Sequence, residues 1–161
     1  MLQKRWFFLW ILIAGISLAV MSIALFRPHE RDGAFIPPAF ESEAVEGVPE
    51  VPEHLGYAEL YQEGMAYRVG VCGRVQTTEG EAVVFFTNLR KNGAWLKLRL
   101  LDEQGNLLGE SGLLKPGEYL RAVKLERALP AGAQIKLHVM GYQPDTYRSI
   151  GAVTLNAITT T

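Results

Sequence analysis

Beyond Gly56 the apolar residues recur at every second position, the period of a strand with one face buried. Leu96, Leu98 and Leu100 share one face while Trp95, Lys97 and Arg99 take the other. Ile135, Leu137 and Val139 alternate with Lys136, His138 and Met140 in the same way, and Val153, Leu155 and Ala157 alternate with Thr154 and Asn156. Ala82 to Phe86 is apolar on both faces and reads as a central strand. Breaks recur every eight to twelve residues and carry turn residues: Thr78-Glu79-Gly80, Lys91-Asn92-Gly93, Gln104-Gly105-Asn106, Pro116-Gly117 and Leu129-Pro130-Ala131-Gly132. Pro116-Gly117 fits the two central positions of a type II turn. The pattern predicts strands near 66–76, 81–88, 94–102, 106–113, 118–126, 133–142 and 150–159, with a further short one near 57–62. About seven strands over residues 56–161 is the scale of an all-β, Ig-like antiparallel β-sandwich.

The first 55 residues follow other rules. Trp6 to Phe26 holds no charge, and its 21 residues make a helix about 31 Å long, the thickness of a bilayer's hydrocarbon core. Trp6 and Trp10 lie near one end of this run, and Lys4 and Arg5 precede it in a short tail, residues 1–5. Interfacial indoles and the positive-inside rule then predict a single-pass transmembrane helix over 6–26, with a cytoplasmic N-terminus and everything past residue 27 outside. A cleaved signal peptide is the alternative, since Ser22-Ile23-Ala24 offers small residues at a peptidase's spacing, but Leu25-Phe26 continue the apolar run past that point.

Residues 27–55 then carry five prolines, and six glutamates and one aspartate against two arginines, a net charge of −5. Missing backbone donors and like-charge repulsion predict an extended linker there. Ala34-Phe35-Ile36 and Ala39-Phe40 stand out in it as apolar enough to dock on something.

A net charge of −1 over 161 residues excludes a basic nucleic-acid binder, and a single cysteine excludes both a disulfide framework and a multi-thiolate zinc site. No nucleophile elbow, phosphate loop, HExxH or EF-hand pattern is present. His29, His54 and His138 are scattered, so no metal site is expected, and no cofactor is called for. The carboxylates past residue 56 lie mostly beside turns, where they serve solubility or accept local hydrogen bonds. Cys72, among Val71, Gly70 and Gly73, reads as a buried thiol acting as a small hydrophobe.

Candidate ligand contacts remain. Trp95 sits on the polar face of its strand, and Tyr142 and Tyr147 bracket the loop Gln143–Thr146; with Tyr119 they form a possible stacking platform. Residues 56–161 carry twelve cations against ten carboxylates, and Lys97 and Arg99 beside Arg90-Lys91 would make a basic patch for a wall polymer or an acidic partner.

The succession Val84-Phe85-Phe86-Thr87-Asn88, Leu96 to Leu101, Gly105-Asn106-Leu107-Leu108, Glu110-Ser111-Gly112-Leu113-Leu114-Lys115-Pro116-Gly117-Glu118 and Leu125 to Gly132 resembles small uncharacterised proteins of Gram-positive bacteria. Those proteins have an N-terminal membrane anchor and an extracytoplasmic Ig-like sandwich, and are often carried by integrative conjugative elements. The similarity covers residues 80–157, and it implies no catalytic residues. It implies a non-enzymatic, membrane-tethered module making protein or envelope contacts, as an accessory subunit of a surface or conjugation apparatus. A carbohydrate-binding module stacking glycan on Trp95 and Tyr142 is the alternative reading of the aromatics.

Overall fold

The computed structural model describes residues 35–161, apart from Gln62 and Glu79. The predicted membrane segment, Trp6 to Phe26, lies outside the described residues, and among those described no helix is long and apolar enough to cross a membrane. The chain divides into two units, Met1–Ile36 and Pro37–Thr161, and the second carries the fold described below.

That unit is all-β. Its strands are β1 (Val45–Glu46), β2 (Tyr57–Leu60), β3 (Val69–Cys72), β4 (Arg74–Thr78), β5 (Glu81–Asn88), β6 (Trp95–Leu101), β7 (Leu107–Glu110), β8 (Glu118–Lys124), β9 (Gln134–Tyr142) and β10 (Ser149–Thr160). A single 3-10 turn, Glu53–Leu55, precedes β2. The central pattern dictated these elements closely: β5 has the expected bounds, and Pro116-Gly117 makes its turn, with Glu118 N donating to Lys115 O at 3.1 Å and Gly117 at φ 89°. A side chain at Gly117 would be strained at that φ, which is why a glycine sits there.

Three expectations are corrected. There are ten strands: the short strand expected near 57–62 is β2, but the stretch 66–76 breaks at Gly73 into β3 and β4, and a further short strand, β1, comes before β2. The region 106–113 is a strand only over β7. The sheet is mixed, not purely antiparallel, since β10 pairs with β4 in parallel, Ile158 opposite Arg74 and Thr160 opposite Gln76. The break at Gly73 is what permits this: β3 pairs with β2 and β5, while β4 pairs with β5 and β10.

The path β1-β8-β5-β4-β10-β9-β6-β7 curls until its ends approach. Glu126 N donates to Leu108 O at 2.8 Å, and Gly109 brings its backbone against the Lys124 carbonyl, where a Cβ would collide. Inside the curl, Val69, Val71, Val75, Val84, Phe86, Leu96, Leu98, Leu100, Leu120, Ile135, Leu137 and Val139 form the main core. Each fully buried leucine of β6 contributes about 1.5–3 kcal/mol relative to exposure.

The two-faced run of β5 has a physical reason. Ala82, Val84 and Phe86 face the main core, while Val83 and Phe85 face a second cluster with Leu55 and Cys72, packed against by Val51 and Tyr57. Three steps along β5 match two along β8 between Val83/Ala122 and Phe86/Leu120, a bulge that holds Phe85 at φ 45°.

Residues 37–55, read from composition as part of an extended linker, belong to the compact unit, and Val51 and Leu55 cover this outer face. Phe40 bridges to Leu113, Glu41 N donates to Leu113 O and Leu113 N to Ala39 O, both at 2.9 Å. Val45 and Glu46 pair with Tyr119 and Glu118 of β8. Glu43 reaches Lys124 at 3.1 Å, Glu46 reaches Arg90 at 3.2 Å, and Glu41 Oε2 accepts from Gly112 N at 2.7 Å. The like charges that would extend an isolated segment are here drawn onto cations and an amide of the body.

Candidate functional site

Three of the five sequence-picked residues meet at one corner of the sheet. Register places Trp95 at the start of β6 directly opposite Tyr142 at the end of β9. The loop after β9 returns Tyr147 to the Trp95 ring, 5.1 Å between centroids at 60°. It does so through two residues with left-handed backbone, Asp145 at φ 64° and Tyr147 at φ 55°, closed by Gln143 N to Arg148 O at 2.8 Å and Tyr147 N to Gln143 O at 3.0 Å. A bulky residue rarely takes that conformation, at about 1–2 kcal/mol. Phe40 meets the same indole edge-on at 4.8 Å and 80°, and Lys115 Nζ lies 4.9 Å from the Phe40 centroid. The indole is thus half-buried between two rings, one of them brought by the segment that sequence alone left undocked. Tyr119 stands elsewhere, opposite Val45 and Thr87 in β8.

Lys97 and Arg99 follow Trp95 on the same face of β6, yet they present no free basic patch. Lys97 Nζ donates to Glu110 Oε1 at 2.8 Å, and Arg99 Nε donates to Glu110 Oε2 at 2.9 Å. Lys97 is 9% exposed, its stem lying on the sheet with only the ammonium reaching its partner. Partial burial disfavours the Glu110 carboxylate, but the hydrogen bonds from Lys97 and Arg99 outweigh this and hold its pKa below the ordinary value. These three residues pin β7 to β6, where Arg99 and Glu110 are register partners. His138, opposite Arg99 in β9, shares a 2.9 Å hydrogen bond between its Nδ1 and Thr154 Oγ1.

The cations that do converge are others. Val69 of β3 lies opposite Asn88 of β5, so Arg68 before β3 adjoins the turn Leu89–Asn92 after β5. Asn92 ties the two, its Oδ1 accepting from Arg68 N at 2.9 Å and its Nδ2 donating to Arg68 O and to Asn88 Oδ1. Asn88 is wholly buried, and its Nδ2 donates to Ala94 O at 2.8 Å and Leu114 O at 2.9 Å. This anchored turn walls a cleft of about 620 Å³ lined by Val48, Glu59, Tyr61, Arg68, Arg90 and Lys91, among others. The Arg68 guanidinium lies 5.2 Å over the exposed Tyr61 ring, within cation–π range. Arg90 is paired with Glu46 at the rim, while Lys91 has no carboxylate partner among the described residues.

Arg90 and Lys91 stand out as basic in the sequence, but Tyr61 is not singled out there. The signal that would have assembled them is the pairing of β3 with β5, which sets residue 68 beside residue 92. Among the described residues no three His, Cys, Asp or Glu side chains group to hold a metal ion. Cys72 is fully buried, and burial pushes its thiol up to about 11; burial likewise pushes Tyr67, whose hydroxyl donates to Val139 O and Gly151 O, up to about 12. Neither group is a nucleophile at neutral pH. The chain matches no protein-family model and no curated protein.

Proposed function

We propose that the protein is a non-enzymatic, membrane-tethered module whose β body stands on the extracytoplasmic side and makes contacts with envelope proteins or wall polymers, as an accessory subunit of a surface or conjugation apparatus. The apolar run Trp6 to Phe26 with its flanking Lys4 and Arg5 supports the tether and its orientation. An Ig-like reading of the body is supported by its pairing: β3, β5 and β8 are neighbours in one group and β6, β9 and β10 in another, as strands A, B, E and C, F, G are in that architecture. The carrying observation is the cleft beside Tyr61, which offers an exposed aromatic and uncompensated cations to a partner.

Glycan stacking on Trp95 is less well supported, because Phe40 and Tyr147 already pack on that indole. A photo-crosslinking residue at position 61 of the full-length protein, in intact cells, tests the proposal. An adduct with an envelope protein or wall polymer is expected, and an adduct with a cytoplasmic protein, or none, refutes it.

A further inference from the structure

We infer that the cleft beside Tyr61 takes an extended acidic polypeptide segment from another protein, one in which carboxylates alternate with apolar residues or proline; this rests on the reading of the cleft as a contact site. The surface already shows this recognition in cis at the cleft's rim. The segment Glu41-Ser42-Glu43-Ala44-Val45-Glu46 runs along β8 with backbone pairing at Val45 and Glu46, and sets three carboxylates on Gly112 N, Lys124 and Arg90. Its line ends at Arg90, and the other two cations of the cleft, Lys91 and Arg68, carry no carboxylate partner among the described residues. Arg68, whose guanidinium carbon lies 5.2 Å from the Tyr61 ring centroid, is a planar donor suited to a bidentate carboxylate.

The remaining walls choose between kinds of anion. Glu59 lines the cleft and Glu46 stands on its rim, so three cations face two carboxylates and the excess is a single positive charge. A densely charged polymer would meet those two carboxylates at each repeat. Widely spaced carboxylates would not, and the intervening apolar groups find Val48, 86% exposed, and Tyr61, 57% exposed, on the cleft wall. Exposed apolar residues beside cations without carboxylates are the complement of a Glu-Val-Glu-Pro type of sequence, and the segment bound in cis likewise spaces its carboxylates with uncharged residues, Ser42, Ala44 and Val45.

The test uses the full-length protein in a mild non-ionic detergent and a fluorescent twelve-residue peptide of repeating Glu-Val-Glu-Pro, read by anisotropy. Saturable binding is expected, absent for the Gln-Val-Gln-Pro peptide, and about tenfold weaker for the double variant R68Q/K91Q. Lys91→Gln alone, at an exposed turn position, should weaken it about threefold with an unchanged melting temperature, so a folding defect in the double variant cannot mimic the result. Equal binding of the glutamine peptide, or no change in K91Q and R68Q/K91Q, overturns the inference. Displacement of the peptide by inorganic polyphosphate at lower charge concentration than by unlabelled peptide also overturns it, in favour of a polyphosphate-type ligand. The crosslink at position 61 reads the contact role separately: an envelope adduct without peptide binding sinks the acidic-segment inference alone, and peptide binding without any adduct sinks the envelope role alone.

Discussion

Replacing Asn88 with Ala should be the most damaging polar substitution in the body. The side chain is 0% exposed and makes three hydrogen bonds, donating to Ala94 O and Leu114 O and accepting from Asn92 Nδ2. Leu114 O keeps a second donor in Leu96 N, and Asn92 Nδ2 keeps Arg68 O, so both are only weakened. Ala94 O, in a residue 1% exposed, is left bare. Three lost hydrogen bonds at about 1 kcal/mol each, with an orphaned buried carbonyl at about 1–3 kcal/mol partly overlapping the first of them, give about 3–5 kcal/mol. Against a total of about 5–15 kcal/mol for a domain, that is a large fraction. Urea unfolding of the full-length protein in mild detergent, followed by near-ultraviolet circular dichroism, should show the midpoint falling by about 1–3 M. Asn88→Asp should lose more than Asn88→Ala at pH 7, since it turns acceptors toward two carbonyls, and should recover part of the difference in acid. A loss below about 1 kcal/mol for Asn88→Ala, or an aspartate milder than alanine at pH 7, would refute the hub.

Other expectations concern titratable groups and backbone approach. Glu110→Gln should lower stability by about 1–2 kcal/mol at pH 7 by weakening the partner of the nearly buried Lys97 ammonium. Because the folded Glu110 pKa is depressed, its contribution is present above the ordinary value of 4.5 and fades as pH falls through the folded value, so the variant should lose less stability than wild type between pH 6 and 3. Cys72 and Tyr67 are shifted the other way: with folded values of about 11 and 12 against ordinary values of 9.0 and 10.0, their contribution is full below pH 9 and is lost as pH climbs toward 11 and beyond. Urea midpoints should therefore drop from pH 8 to pH 10.5, and a membrane-impermeant maleimide should leave native Cys72 unlabelled at pH 7.5 but label it in urea. Gly109→Ala should prevent β7 from closing on β8, since its methyl meets the Lys124 carbonyl, and should lower the melting temperature by at least 10 °C.

Alternation exposed β6, β9 and β10 in the sequence, because each carries apolar residues on a face that must be buried, while β5 stood out as a run apolar on both faces, and Gly and Pro marked the ends. Composition misled at residues 37–55, where counting glutamates treats the segment as alone. Glu43 and Glu46 are neutralised by Lys124 and Arg90, 81 and 44 positions distant in the chain, which no local count includes. A clue was present nonetheless: Val83 and Phe85 leave the second face of β5 apolar, and something had to cover it. Tyr142 and Tyr147 were legible as neighbours through the loop that joins β9 to β10, whereas the pairing of β9 with β6 that sets Trp95 beside them was not. Lys97 and Arg99 were not legible as paired, since their acceptor Glu110 is supplied by β7 across a turn whose register sequence does not fix.

The docking of the strand-like strap has a mechanical meaning. A pull applied at Pro37 reaches the two hydrogen bonds at Leu113 and the short pairing with β8 before it reaches any strand of the main core. Those bonds stand in series ahead of the core, so a body under tension yields first there, lengthening by at most about 35 Å as residues 37–46 straighten. Held by so few bonds, the strap is expected to release under load before the curled sheet behind it unfolds.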